Sequence, residues 1–385
     1  MLRFEFATAT RIIFGAGTLK QVGPIAAETG RHALVVTGLA TALTRPLLDL
    51  LAGQGIDREI FPVSGEPTLE VVRQGIQHVR LATCDLVIGF GGGSAIDTGK
   101  AIAALMTNSG DLLDYLEVVG KGKPITQPAA PYIAISTTAG TGAEVTRNAV
   151  LASPEHRVKV SLRSPHMLPR VALVDPELTY SLPPEVTAST GLDALTQLVE
   201  PFVSIRANPV TDAFCREGMH RAARSLRQAY EHGDDVNARE DMALASLLGG
   251  LALANAGLGA VHGIASVVGG MFPAPHGAVC ARLLPHVMET NVHALQERQP
   301  GSDALRHYDE VARILTGSDQ AKAADGVTWV QELCQALRIP PLASYGMTPA
   351  DLSTVVDKSA VASSTKVNPS QLNSDEMGEI LTRAM

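Results

Sequence analysis

An α/β domain followed by an all-helical domain (α/β + all-α) is the fold class predicted by this 385-residue sequence. Two observations carry it. Up to about residue 180, short apolar runs alternate with helical stretches: HALVVTG (32–38), REIFPV (58–63), CDLVIGF (84–90), PYIAIST (131–137) and RVALVDP (170–176). From PPEVTAST (183–190) onward the pattern is helical, with AREDMALASLLGGLALANAGLGAVHGIASVV (238–268) the longest example, and no comparable strand series follows.

Strands of this length separated by helices indicate a parallel sheet with crossover connections, so the first half is Rossmann-like. The opening FEFATATRIIFG (4–15) reads as two extended segments, either a hairpin at the sheet edge or an arm lent to another subunit. The chain exceeds what one hydrophobic core usually organises, and SLPPE (181–185) marks the boundary. The expected division is a dinucleotide-binding domain over 1–182 and an all-helical metal and substrate domain over 183–385.

Composition narrows the setting. Hydrophobic residues make up 45% and charged residues 18%, as in a globular protein, and 31 basic against 39 acidic residues give a net charge of −8. Without a basic tract the chain offers no nucleic-acid surface, and small molecules are the expected partners. Cys84, Cys215, Cys280 and Cys334 form no CxxC, which fits free thiols in a reducing compartment better than a disulfide framework or zinc ribbon. No run reaches membrane-spanning length, and a cytoplasmic protein that binds no membrane is expected.

The first chemical motif is CDLVIGFGGGSAIDTGKAIAALM (84–106). A buried run passes through Gly91, Gly92 and Gly93 into a helix beginning near Ser94. The amides and dipole of such a helix start attract a phosphate, and glycines let it approach the backbone. GxxxxGK[ST] fails because five residues separate Gly93 from Gly99 and Ala101 follows Lys100, and GxGxxG fails at its third glycine. Ser94 and Asp97 read as a capping box, but three consecutive glycines exceed the needs of a cap. A second loop, ISTTAGTGAEVTRNAV (135–150), brings Thr137, Thr138 and Thr141 to the end of another buried run. Ligands of open α/β sheets sit beyond such strand ends.

In the second half, GLDALTQLVEPF (191–202) sets Asp193 and Gln197 one helical turn apart, on one helix face. GAVHGIASVVGGMFPAPHGAVCARLLPHVM (259–288) places His262 and His276 on either side of a Gly/Pro break. Two imidazoles and a carboxylate suit iron or zinc. His286 and His293 read as ordinary hydrogen-bonded or surface residues.

GGGSAID, STTAGTGAEVT, DPELTYSLPP, GLDALTQ and the HG…PHG…LLPH block, in this order, make the sequence similar over almost its full length to the iron-containing (group III) alcohol dehydrogenase family. That resemblance implies a dehydroquinate synthase-like architecture and hydride transfer between NAD(P) and a small alcohol, aldehyde or ketone. It also implies that Gly92, Gly93 and Ser94 contact the cofactor diphosphate and that Asp97 closes the turn. Thr137, Thr138 and Thr141 would line the cofactor, Lys159 would reach the nicotinamide ribose, and Leu178 would pack near the adenosine. The metal ligands would fall on Asp193, Gln197, His262 and His276.

Gln197 stands where the family carries histidine, and Ser266 where a second histidine often follows His262. A glutamine oxygen is a weaker donor than imidazole, and the segment before His276 also resembles the maleylacetate reductase branch, whose members work without metal. Iron or zinc and a metal-independent reaction are therefore alternatives. In either case His262 and His276 are the expected catalytic residues, positioning the substrate oxygen. VVTG (35–38) ends in Gly38 where NAD-preferring relatives end in aspartate, so no carboxylate repels a 2′-phosphate and NADP is expected alongside NAD. Val268, Met271, Phe272 and Pro273 suggest an uncharged substrate. A dehydroquinate synthase-like lyase would need basic residues near the histidines, and none occurs between 259 and 281. A homodimer or larger assembly is expected.

Overall fold

The computed structural model describes residues 3–385. The described chain divides into two compact units, one formed by Ala7–Thr138 with Gly142–Tyr180, the other by residues 3–6, Ala139–Thr141 and Ser181–Met385.

The first unit holds strands β1 (Arg11–Phe14), β2 (His32–Thr37), β3 (Asp57–Pro62), β4 (Leu86–Gly91), β5 (Tyr132–Ser136), β6 (Asn148–Ser153), β7 (Val158–Arg163) and β8 (Val171–Val174). Its helices are α1 (Val22–Ala27), α2 (Thr41–Ala52), α3 (Leu69–Ala82), α4 (Gly93–Thr107) and the single turn α5 (Leu112–Tyr115). Six strands form one parallel sheet in the order β1-β8-β5-β4-β2-β3. Strands of such a sheet are covered on both faces, and β2 shows the consequence: Leu34 and Val36 enter one apolar cluster while Ala33 and Val35 enter another. This is why the runs read as continuously apolar.

Two expectations are corrected. The opening segment is no hairpin: β1 pairs in parallel with β8 at the sheet edge, and residues 3–9 form no strand. A second sheet, the antiparallel pair β6-β7, begins inside the stretch read as a loop and continues where no strand was expected. VKVSLR alternates apolar and polar residues and NAVLAS has only four apolar residues between polar ends, so neither shows the long apolar runs of the buried main strands.

After β3, the chain returns to the opposite side of β2 to make β4. The carboxyl ends of β2 and β4 are therefore adjacent at the point where strand order reverses, with Thr37 opposite Phe90. Ligand crevices of open α/β sheets form at such reversals. Beneath this point, α4 carries a buried Lys100 whose Nζ donates to Ala143 O (2.8 Å), Thr146 Oγ1 (2.9 Å) and Asn148 O (2.7 Å). The lysine thus ties the segment after β5 to the helix that follows β4. Glu144, in the same segment, is buried with Oε2 lacking a hydrogen-bond partner.

The second unit is helical: α6 (Pro184–Val203), α7 (Pro209–Glu231), α8 (Val236–Ala256), α9 (Ala260–Met271), α10 (His276–Arg298), α11 (Asp303–Thr316), α12 (Ala323–Ala336), α13 (Leu352–Ala360) and α14 (Ser374–Ala384). Among the described residues no single helix is long and apolar enough to cross a membrane.

Burial raises the Glu144 pKa from 4.5 to about 7, against the opposing pull of its backbone hydrogen bond and Lys100. The unfolded chain releases this proton at lower pH than the folded one. The associated stability is full below the unfolded pKa and is lost as pH rises through about 7. Replacing Glu144→Gln removes this loss, on the order of 3 kcal/mol. The Tm gap between variant and wild type should therefore widen in favour of the variant from about pH 5 to about pH 8.

Candidate active site

In the first unit, α4 starts at Gly93 with Gly92 as its N-cap and no side-chain cap, so the capping box expected of Ser94 and Asp97 is absent. The amides of the first turn are left to a ligand or water. Asp97 is directed elsewhere: its Oδ2 accepts from Val150 N at 3.0 Å, and its Oδ1 lies 3.5 Å from Lys100 Nζ. The loop after β5 runs beside the glycine turn, with Thr137 N donating to Gly91 O at 3.0 Å. Gly91, Gly92, Gly93, Ser94, Thr137 and Thr138 thus collect at the ends of adjacent strands β4 and β5.

Gly38, at the end of β2, has a steric reason to be glycine, because a Cβ there would lie 2.7 Å from Val63 O. Thr141 is grouped with the helical unit. Lys159, on β7, forms an ion pair with Glu66 at 2.9 Å. Leu178 follows β8 and packs on the apolar cluster of Val35, Ile88 and Leu173.

In the helical unit, three helices supply the second constellation. On α6, Asp193, Gln197 and Glu200 recur at spacings of four and three, so they share one stripe, and all are buried. The start of α9 is anchored by side chains in place of the missing helical carbonyls: Ala260 N donates to Asn368 Oδ1 (3.1 Å) and Val261 N to Glu200 Oε1 (2.7 Å). One residue on, His262 Nδ1 lies 2.6 Å from Glu200 Oε2. An ionised carboxylate only accepts, so Nδ1 carries the proton and Nε2 faces Asp193 Oδ1 at 3.3 Å.

His276 opens α10, with Nε2 3.9 Å from Asp193 Oδ1 and its ring centroid 5.4 Å from that of His262. Both histidines are followed by glycine for the same reason. A Cβ on Gly277 would lie 2.4 Å from Ser189 O on α6, and one on Gly263 would lie even closer to Thr365 Oγ1. The HG dipeptides let neighbouring elements close on the imidazoles.

The structure therefore gathers Asp193, His262 and His276, and adds Glu200 and Cys280, which sequence reasoning missed. Their signals were present: Glu200 continues the stripe of Asp193 and Gln197, and Cys280 lies four residues after His276. Cys280 Sγ is 3.6 Å from His276 Nε2. Ser266 is not part of the group, since its hydroxyl donates to Gly263 O. His293 is exposed on α10 with Glu297 3.7 Å away, while burial lowers His286 to about 4.

The electrostatics test whether this set suits a cation. Asp193 Oδ1, Gln197 Oε1 and His262 Nε2 are buried without a well-directed hydrogen bond. A neutral Nε2 and an ionised Oδ1 would present lone pairs to each other, so a proton or a cation must hold them together. Burial opposes a charged His262, but Cys280, Asp193 and Glu200 outweigh it and raise its pKa well above the usual value. Burial likewise opposes ionisation of Asp193, and the two histidines overcome it and lower its pKa. One donor atom each from Asp193, His262, His276 and Cys280 lie within 4.8 Å of one another. The donors present fit a divalent metal ion.

A parallel sheet with a glycine turn at its order reversal, joined in one chain to a helical unit holding buried metal-type donors, defines a two-unit protein with a nucleotide-type sheet and a candidate metal centre. Residues 9–176 match the iron-containing alcohol dehydrogenase family, and residues 187–385 match the C-terminal domain of the Fe-containing alcohol dehydrogenase family. The chain belongs to the iron-containing alcohol dehydrogenase family, and it is an alcohol dehydrogenase-type enzyme. It is 36% identical over 379 residues to alcohol dehydrogenase 4 of Schizosaccharomyces pombe, covering 97% of this chain and 87% of that one. It is also 36% identical over 389 residues to the 1,3-propanediol dehydrogenase of Citrobacter freundii, covering 99% and 98%. A crystal structure of 1,3-propanediol oxidoreductase superposes with a TM-score of 0.90 at 35% identity, covering 100% of both chains. These relatives are redox enzymes, and the lyase alternative is set aside.

Glu200 joins α6 to α9 and fixes the His262 tautomer. Glu200→Ala leaves a buried imidazole and the Val261 amide without their partner, so it should cost about 3–5 kcal/mol of unfolding free energy. Glu200→Gln should fold more nearly like wild type and weaken divalent-metal binding about 10–100-fold. Denaturant titration measures the first effect and metal titration the second.

Proposed function

We propose that the chain transfers a hydride reversibly between NAD or NADP and a small, uncharged alcohol or aldehyde, with Asp193, Gln197, His262 and His276 holding a divalent metal ion. The observation that carries this reading is the facing pair of Asp193 Oδ1 and His262 Nε2, buried and 3.3 Å apart. When bound, the metal would supply a Lewis acid that stabilises negative charge on the substrate oxygen, which appears when the hydroxyl proton is lost or when hydride adds to the carbonyl.

The remaining roles belong to the chain. The amides of Gly92, Gly93 and Ser94 receive the cofactor diphosphate at the α4 N-terminus, where the helix dipole favours negative charge. Thr137, Thr138 and Thr141 offer hydroxyls to the nucleotide, Asp97 and Lys100 hold the surrounding segments, Lys159 serves the ribose, and Leu178 lies near the adenosine. Glu200 keeps His262 in one tautomer. His262 and His276 orient the substrate oxygen. His276, with 29% of its side chain exposed against 6% for His262, is the side from which substrate enters and the released proton passes to water.

An uncharged substrate follows from the surroundings, since no lysine or arginine lies between residues 259 and 281, and Met271 and Phe272 are only partly covered. NADP is used alongside NAD because Gly38 carries no carboxylate to repel a 2′-phosphate. The chain works as a homodimer or larger assembly in the cytoplasm, with the partly exposed Phe4 in its N-terminal segment as an interface candidate.

Loss of nicotinamide absorbance on mixing NADH or NADPH with a panel of short aldehydes tests the activity. Comparable kcat/KM for the two nucleotides is expected, and strong selectivity for NAD would defeat the cofactor reading. His276→Ala should lower kcat/KM by about 10²–10⁴-fold. Protein purified without added metal should contain a divalent ion by elemental analysis and lose activity to a chelator. Full activity in metal-free protein would remove the metal from the reading.

A further inference from the structure

Cys280 has no part in the reaction described above, yet it stands among the groups assigned to the metal. It is fully buried on α10, one turn beyond His276, so the two side chains share a helix face. Its Sγ is 3.6 Å from His276 Nε2, and it belongs to the set of four donors that lie within 4.8 Å of one another. We propose that Cys280 is a further direct ligand of the metal, its thiolate joining Asp193, His262 and His276 and supplying the negative charge that the neutral Gln197 carboxamide lacks. This inference rests on the metal reading above.

Geometry is the first argument. Donors bound tetrahedrally to one ion at ordinary zinc bond lengths lie about 3.3 Å apart for a nitrogen–oxygen pair and about 3.6 Å apart for a sulfur–nitrogen pair. The observed separations are 3.3 Å for His262 Nε2 to Asp193 Oδ1, 3.9 Å for His276 Nε2 to Asp193 Oδ1 and 3.6 Å for Cys280 Sγ to His276 Nε2. The second argument is the buried pair Asp193 Oδ1 and His262 Nε2, 3.3 Å apart and without a well-directed hydrogen bond. The third is charge. With Gln197 the donors carry one negative charge, but with a Cys280 thiolate they carry two, which neutralises a divalent ion where uncompensated charge is costly. Binding replaces the S–H bond with an S–metal bond, and the proton goes to water. A thiolate also shifts preference from iron toward softer zinc.

Cobalt(II) reports sulfur ligation directly. Full-length protein, stripped with a chelator and reconstituted with Co²⁺, should bind one ion and show a sulfur-to-cobalt charge-transfer band in the near ultraviolet. Cys280→Ala and Cys280→Ser should lose the band and bind cobalt about 10–100-fold more weakly, whereas Gln197→Ala should keep it. Circular dichroism establishes that the variants are folded. X-ray absorption of the wild-type cobalt protein needs no variant and should show one sulfur among nitrogen and oxygen neighbours. A wild-type protein that binds Co²⁺ with d–d bands but no sulfur band and no sulfur neighbour overturns the thiolate ligand and leaves the metal reading intact. Failure of the folded wild type to bind Co²⁺ at all overturns both.

Discussion

A carboxylate buried among helices is the constraint around which the second unit is built. Asp193 is 1% exposed, and an uncompensated charge in that position costs several kcal/mol. Two imidazoles offset that cost, and each must arrive from a different helix at a fixed angle. Glu200 fixes the first by holding both the His262 ring and the Val261 amide in the first turn of α9. The start of α10 fixes the second, and the contact between α10 and α6 exists because Gly277 has no side chain. Changing any of these elements changes the charge balance at Asp193, so packing and chemistry cannot be separated here.

The first unit solves a different problem by the same economy of groups. A nucleotide site needs free amides and close backbone approach, and both arise where β2 and β4 part company. Lys100 is spent on holding the neighbouring segments rather than on a ligand, which explains why a lysine next to a glycine-rich turn does not make this a nucleoside-triphosphate loop. Gly38 carries a double meaning. The carbonyl of Val63 requires it sterically, and the cofactor reading proposed above gives its missing side chain a second role.

The fold class was legible because strands covered on both faces become continuous apolar runs, and HALVVTG or CDLVIGF can hardly be anything else. The β6-β7 pair was overlooked although VKVSLR alternates, because NAVLAS continues a Ser/Thr/Gly-rich loop and neither segment shows the long apolar runs of the main strands. The parallel placement of β1 was hidden for a different reason, since its partner β8 lies some 160 positions away in the chain. Asp193, His262 and His276 could be found from residue type and spacing. Glu200 and Cys280 escaped notice because a lone carboxylate in an apolar helix and a lone buried thiol look like ordinary core residues until three dimensions show what they face. Ser94 and Asp97 misled in the other direction: their spacing suits a cap, but Asp97 found a stronger claim in Lys100 and the Val150 amide.

The amide of Ala260 is held by Asn368, which also bonds Asn291 and the carbonyl of Ser370. Seen from the ribosome, this clasp fixes an order of events. The sheet-bearing half can acquire most of its partners early in synthesis, but the helix bearing His262 has no completed anchor until more than a hundred further residues have emerged. The nascent chain therefore passes through an interval in which the Asp193 carboxylate exists without its finished surroundings, which close among the last steps of maturation.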